Sequence, residues 1–334
     1  MEKFAGIVYS RRLILSNNLY LQFVKQENPG IVTRKNEKWW KMLAAIIVFV
    51  LLVKTFGVTS CFIPSSGMEN SLYKGEGVLI NKWAYGLRIP FPSLFGYHRI
   101  GKGAIERGDI VLFNNPDPIQ QNISLENRDL FISRCVGLPG DTLMLNCELM
   151  NSGMQSFSPD SKSLYAYPSE KEDLMLSLLK NVSLDDNMLV GYTKNGNYIR
   201  SFSHYEYYII SQKAENQIKL TLLDKEQKGT TYPFIIPRKN KSVPVYPWNI
   251  VLLCNTITFH EQKHAEIRNH TLWVEGKPVD SYTFHENYYW VASNDPINLV
   301  DSRLFGFVPE DHIIGKVWRI WFTSQKERFF QCVQ

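Results

Sequence analysis

The chain has 334 residues, 44% hydrophobic and 13% aromatic, which excludes a disordered or fibrous chain and leaves room for an anchor plus one or two small domains. Its net charge of +5 is matched by residues 1–41 alone, which hold eight Lys/Arg against three Glu. The rest is neutral as a whole, which excludes a nucleic-acid surface and marks a basic flank on a membrane segment.

Residues 5–33 mix apolar and basic side chains and are too polar to span a bilayer. They read as a short cytoplasmic helix or disorder. Residues 42–61 are apolar apart from Lys54, and about 20 residues cross a bilayer core, so one transmembrane helix is expected there. Trp39 and Trp40 suit the inner interface, Lys54 can snorkel, and the basic flank places the N-terminus in the cytoplasm. A cleaved secretory signal is the alternative, against which a 41-residue leading region is long. The five cysteines (Cys61, Cys135, Cys147, Cys254, Cys332) have no CxxC spacing, so a zinc ribbon is excluded and at most two disulfides fit, with pairing open.

Beyond the span, short β-branched or aromatic runs at 77–81, 109–113 and 131–136 alternate with Gly, Pro, Asn and Asp, the pattern of an all-β domain. Ser169 and Glu172 have capping-box spacing ahead of Leu174, Leu176, Leu178 and Leu179, which predicts a helix of about three turns. Residues 145–250 are more polar and are expected to form an inserted second lobe, with strand-like runs at 207–210 and 218–223. Strand character returns at 272–279, where Glu275-Gly276 supplies a hairpin turn, and at 288–292 and 315–322.

Four segments carry a recognisable pattern. Residues 63–72 read Ile-Pro-Ser-Ser-Gly-Met-Glu-Asn-Ser-Leu, and 75–86 with 107–113 supply two following strands. Residues 134–141 read Arg-Cys-Val-Gly-Leu-Pro-Gly-Asp, and 301–309 read Asp-Ser-Arg-Leu-Phe-Gly-Phe-Val-Pro. In this order behind an apolar span, over roughly 42–144 and 245–322, the chain resembles the type I (leader) signal peptidase family. The resemblance implies a mainly β, signal-peptidase-type domain (62–144 and 251–334) with an inserted lobe (145–250), behind a basic cytoplasmic segment (1–41) and one transmembrane helix (42–61). It also implies a serine endopeptidase lineage without cofactor or metal, acting on signal peptides of secreted preproteins. The setting would be a bacterial inner membrane and its lipid, with the main domain periplasmic.

The family's nucleophile box runs Pro-Ser-x-Ser-Met, with a neutral lysine as base. The nucleophile position is Gly67 here, the lysine position is Ser133, and Leu299 replaces the serine that orients the lysine. Ser65 keeps the oxyanion-hole position, Asp301 and Arg303 keep the bracing pair, and Phe62, Ile63 and Met68 match positions that line the substrate groove. Two readings follow. In one, the family's own catalysis is lost, and the protein binds signal-peptide-like segments or pairs with an active paralogue. In the other, Ser66 is a displaced nucleophile and needs a new base, Lys74 and Lys82 being near in sequence.

Two further patterns have plainer readings. Residues 260–264 fit His-Glu-x-x-His with His270 beyond, but Ile267 stands where the metalloprotease motif has its glycine, so a solvated loop without metal is expected. Trp318, Trp321, Phe322, Phe329 and Phe330 form either a membrane-surface patch or strand core.

Overall fold

The computed structural model describes residues 29–333 apart from 90–91, 102, 118, 120–121, 147–148, 150–157, 224–229 and 299. Two units are present, residues 1–55 and 56–334. In the first, helix α1 covers Pro29–Leu52 and runs into a wider turn over Val53–Gly57. The 20 residues Lys38–Gly57 are long and apolar enough to cross a membrane, and none is buried in protein. A helix satisfies every internal backbone group by itself, which is what such a segment needs. Val58 already starts a strand, so residues 58–61, expected in the span, lie in the sheet.

The second unit is mainly β. Its principal sheet joins seven strands, all antiparallel. They are β1 (Val58–Phe62), β2 (Gly77–Asn81), β3 (Ile110–Asn114), β4 (Leu130–Gly137), β5 (Tyr288–Ala292), β6 (Val308–Pro309) and β7 (Ile313–Phe322). Across the sheet the order is β1-β2-β7-β3-β4-β5-β6, so β1 is an edge strand. Register shifts between Gly77 and Val78, Leu79 and Ile80, Ile313 and Gly315, and Trp290 and Val291 bend the strands, and the sheet curls. Val78, Ile80, Ile110, Leu112, Val317 and Ile320 point into one core. A second core gathers around Trp290, Tyr288 and Phe307.

Much of this agrees with the sequence pattern. The runs at 77–81 and 288–292 are strands over those same residues. Glu275 (φ 50°) and Gly276 (φ 73°) make the tight turn between Thr271–Val274 and Lys277–Val279. The helix predicted from the leucines is α2, Glu172–Asn181, with Met175, Leu178 and Leu179 buried. The capping box ahead of it does not form; that motif closes instead at Ser203 and Glu206. Ser203 caps a helix over His204–Lys213 that takes in 207–210, which therefore is not a strand.

The segment 145–250 divides. Lys162–Tyr167 and Tyr198–Ser203 are the central pair of a four-stranded sheet that packs with two helices around Tyr167, Phe202 and Ile210. Tyr232–Ile235 instead pairs with Thr142–Leu145, and Phe234 joins the core around Trp290. A helix over Ile250–His260 is the largest surprise. Its sequence is apolar on most sides, so periodicity cannot separate it from a buried strand. It buries Ile250, Leu253, Cys254 and Ile257, and the Tyr246 amide donates to the Asn249 side chain at its start (2.7 Å).

Candidate functional site

The chain leaves β1 at Phe62 and turns sharply. The Leu72 amide donates to the Met68 carbonyl (2.7 Å) and the Glu69 amide to the Ser66 carbonyl (2.8 Å). Ile63, Met68 and Leu72 anchor this turn in the core, where burying each contributes about 2 kcal/mol. Ile63 and Met68, expected on a substrate groove, are thus core residues. Phe62 is exposed, with its ring 5.8 Å from both Trp321 and Phe322.

A loop from 293 to 300 closes on the turn. The Asn294 and Asp295 amides both donate to the Gly67 carbonyl, at 2.8 and 3.1 Å. Ser66 is half-buried. Its hydroxyl donates to Asp295 Oδ2 (3.0 Å) and accepts from Asn298 Nδ2 (2.5 Å). Asp295 also accepts the Ile297 amide (3.0 Å), which fixes its carboxylate. The Gly67 amide makes a long 3.5 Å contact with Ser65 Oγ. A Cβ on Gly67 would stand 2.9 Å from the Asn298 carbonyl oxygen. The position of the family nucleophile is therefore filled by backbone.

Ser133, at the lysine position on β4, is fully buried, and its hydroxyl donates to the Val300 carbonyl (2.7 Å). This ties β4 to the same loop and offers no base. Asp301 is fully buried. It accepts the Ser293 amide (2.7 Å), and Arg303 grips it through Nε (3.0 Å) and Nη2 (2.5 Å). Arg303 Nη2 also reaches the Ser293 carbonyl (3.2 Å), so the pair braces both ends of the loop. Leu299 lies outside the described residues.

The other side of the turn is held from the small lobe. Lys162, whose side chain is 3% exposed, donates from Nζ to Glu69 Oε2 (2.8 Å), and its amide donates to the Asn294 carbonyl (2.7 Å). Ser71 Oγ donates to Asp160 Oδ2 (2.5 Å) and accepts from Asn294 Nδ2 (2.8 Å) and Arg134 Nη2 (2.7 Å). Burial pulls the Arg134 guanidinium below its ordinary value, opposed by the Asp160 charge. Nothing in the sequence marks Asp295 or Asn298 as a partner of Ser66. Asp160 and Lys162 carry no motif at all. Lys74 is exposed, and no contact joins either Lys74 or Lys82 to Ser66 among the described residues.

The His-Glu-x-x-His stretch is not a solvated loop at its start. His260 ends the apolar helix with its ring 5.4 Å from that of His312, while His264 leads into Ala265–Arg268. The helix stops too early to place two imidazoles on one face. Among the described residues no group of three His, Cys, Asp or Glu is arranged to hold a metal ion. Cys61, Cys135, Cys254 and Cys332 are free thiols, and Cys147 lies outside the described residues.

Residues 36–177 match the family described as signal peptidase, peptidase S26. Signal peptidase I of Buchnera aphidicola subsp. Acyrthosiphon pisum is 23% identical over 330 residues, covering 98% of this chain and 87% of that protein. The Haemophilus influenzae signal peptidase I is 23% identical over 307 residues (85% and 69%). That of Pseudomonas aeruginosa is 32% identical over 138 residues (40% and 44%). A curled antiparallel sheet, one apolar helix ahead of it in the sequence, the ordered boxes around Met68, Arg134 and Asp301, and these relatives agree, and together they support membership of the type I signal peptidase family.

Proposed function

We propose that this protein is a membrane-anchored member of the family that binds extended, signal-peptide-like segments without the family's own serine–lysine catalysis. One observation carries the reading. The nucleophile position is Gly67, packed under the Asn298 carbonyl, and the base position is a buried Ser133 bonded to backbone. A serine hydroxyl cannot serve as general base near neutral pH. The binding half rests on β1 being a sheet edge that ends at exposed Phe62, since main-chain pairing at an edge strand needs no nucleophile. The basic flank of residues 1–41 supports a cytoplasmic N-terminus and a periplasmic main domain in a bacterial inner membrane. Exposed Trp318, Phe322, Phe329 and Phe330 favour contact with lipid, and a catalytically complete paralogue is the proposed partner for cleavage. We assign residues 158–223 as the core of the inserted lobe, with 230–250 returning to the β domain.

The test is full-length protein in detergent micelles with a fluorescent signal peptide and a preprotein bearing an Ala-x-Ala site. Saturable binding with intact preprotein is expected, and cleavage by the purified chain would overturn the reading. The second reading, a signal peptidase with Ser66 as nucleophile, is favoured by the Ser66–Asp295 hydrogen bond alone. It requires that Ser66→Ala abolish any cleavage seen.

A further inference from the structure

Ser66 combines three features that the binding reading does not use. Its hydroxyl is half-buried rather than sealed, it points its proton at a carboxylate, and it lies in a turn fixed on both flanks. Asp295 is itself buried and held by the Ile297 amide, so the pair is preorganised. Asn298 fixes the Ser66 rotamer from the opposite side. Among the described residues the Gly67 N–H makes only its long contact with Ser65 Oγ, which leaves two adjacent donors, amide and hydroxyl, for a developing oxyanion. Pro64 and Ile297, two residues along each segment, are exposed and give an acyl group apolar surface.

From this geometry we propose that Ser66 and Asp295 form a serine–carboxylate pair that hydrolyses carboxylic esters. The choice of ester over amide follows from the base. Carboxylates as a class are weaker bases than the neutral amine the family uses, and an amide also requires its amine leaving group to be protonated. An alcohol leaves more readily. Ser66 Oγ attacks the ester carbonyl carbon while its proton passes to Asp295 Oδ2. The carbonyl C–O bond to the alcohol then breaks, the alcohol takes that proton, and an acyl-Ser66 remains. Water attacks the acyl carbon, gives one proton to Asp295, and Ser66 Oγ leaves and recovers it. The sum is ester plus water to acid plus alcohol.

The experiment uses full-length protein in micelles with p-nitrophenyl acetate and p-nitrophenyl butyrate. A fluorophosphonate probe, which forms an Oγ–P bond and releases fluoride, is followed in parallel by peptide mass. Wild type turns over both esters and carries the phosphonate on Ser66. Ser66→Ala returns to the buffer rate, and the isosteric Asp295→Asn falls by about 100-fold. Turnover undiminished in Ser66→Ala, or wild type no faster than buffer and unlabelled at Ser66, overturns the proposal. Site-resolved labelling of wild type keeps the test meaningful if a variant misfolds. Signal-peptide binding is read separately on the same samples, so either reading can fail alone.

Discussion

The Asn298 carbonyl oxygen lies 2.9 Å from where a Cβ on Gly67 would stand. No real Cβ tolerates backbone at that distance, so the loop has settled into space that a nucleophilic serine would need. Gly67→Ser with Ser133→Lys therefore does not restore preprotein cleavage, because the loop blocks the first residue and the second is sealed in the core. Gly67→Ala alone lowers unfolding stability by about 1–3 kcal/mol through overpacking. Urea denaturation measures it, and an unchanged midpoint would mean that the loop gives way freely.

Lys162 should behave as a structural cation. Lys162→Met leaves Glu69 without its charge partner and costs about 3 kcal/mol, since breaking a buried pair from one side strands the other charge. Glu69 is 22% exposed and is partly rehydrated, so the double variant Lys162→Met/Glu69→Gln recovers much of the loss. A double-mutant cycle by thermal denaturation reads the coupling, and simple additivity would deny the pair any role.

Asp301→Asn keeps the shape and removes the charge that Arg303 grips. The expected loss is about 3 kcal/mol, with the effect concentrated in residues 293–300. Hydrogen exchange at the Ser293 amide should quicken before global unfolding does. Equal protection in both proteins would show that Arg303 does not brace the loop.

Two half-buried groups set opposing pH dependences. Burial, reinforced by His312, lowers His260 from 6.5 to about 3, so the unfolded chain binds the extra proton between those values. Stability from this group is full above pH 6.5 and is lost as pH falls toward 3. Burial, with Asp311, Glu261 and Glu310 nearby, raises Glu286 from 4.5 to about 8. That contribution is full below pH 4.5 and is lost as pH rises toward 8. Where the windows overlap, between 4.5 and 6.5, the slopes cancel. The groups facing His260 are His312, Asp311 and Arg128. A denaturation series from pH 4 to 8 should be nearly flat to 6.5 and then decline, with Glu286→Gln removing the decline. A decline of the same size in Glu286→Gln would assign it elsewhere.

The strands were legible because their signals are local. At 77–81 and 288–292 a run of β-branched or aromatic residues sits between turn-formers, and Glu275-Gly276 announces its own hairpin. The Ile250–His260 helix was not legible, because an apolar run without a polar face has no period to read. In the site, the losses at Gly67 and Ser133 could be read by alignment of motifs. What replaced them could not. The partners of Ser66, Glu69 and Ser71 lie on segments far away in sequence, and neither Asp295 nor Lys162 belongs to a pattern.

The strap from Lys162 and the closure from Asp295 have a consequence for the order of assembly. Glu69 waits 93 residues for Lys162, and Ser66 waits 229 for Asp295. During synthesis the membrane helix and the turn emerge together, yet the turn has no outer wall until nearly the whole chain is made. Long-range closure of this kind carries the larger entropic cost and comes late in folding. Residues 63–72, one strand beyond the membrane helix, are thus closed late, and a chain truncated before residue 293 would carry the box without the site.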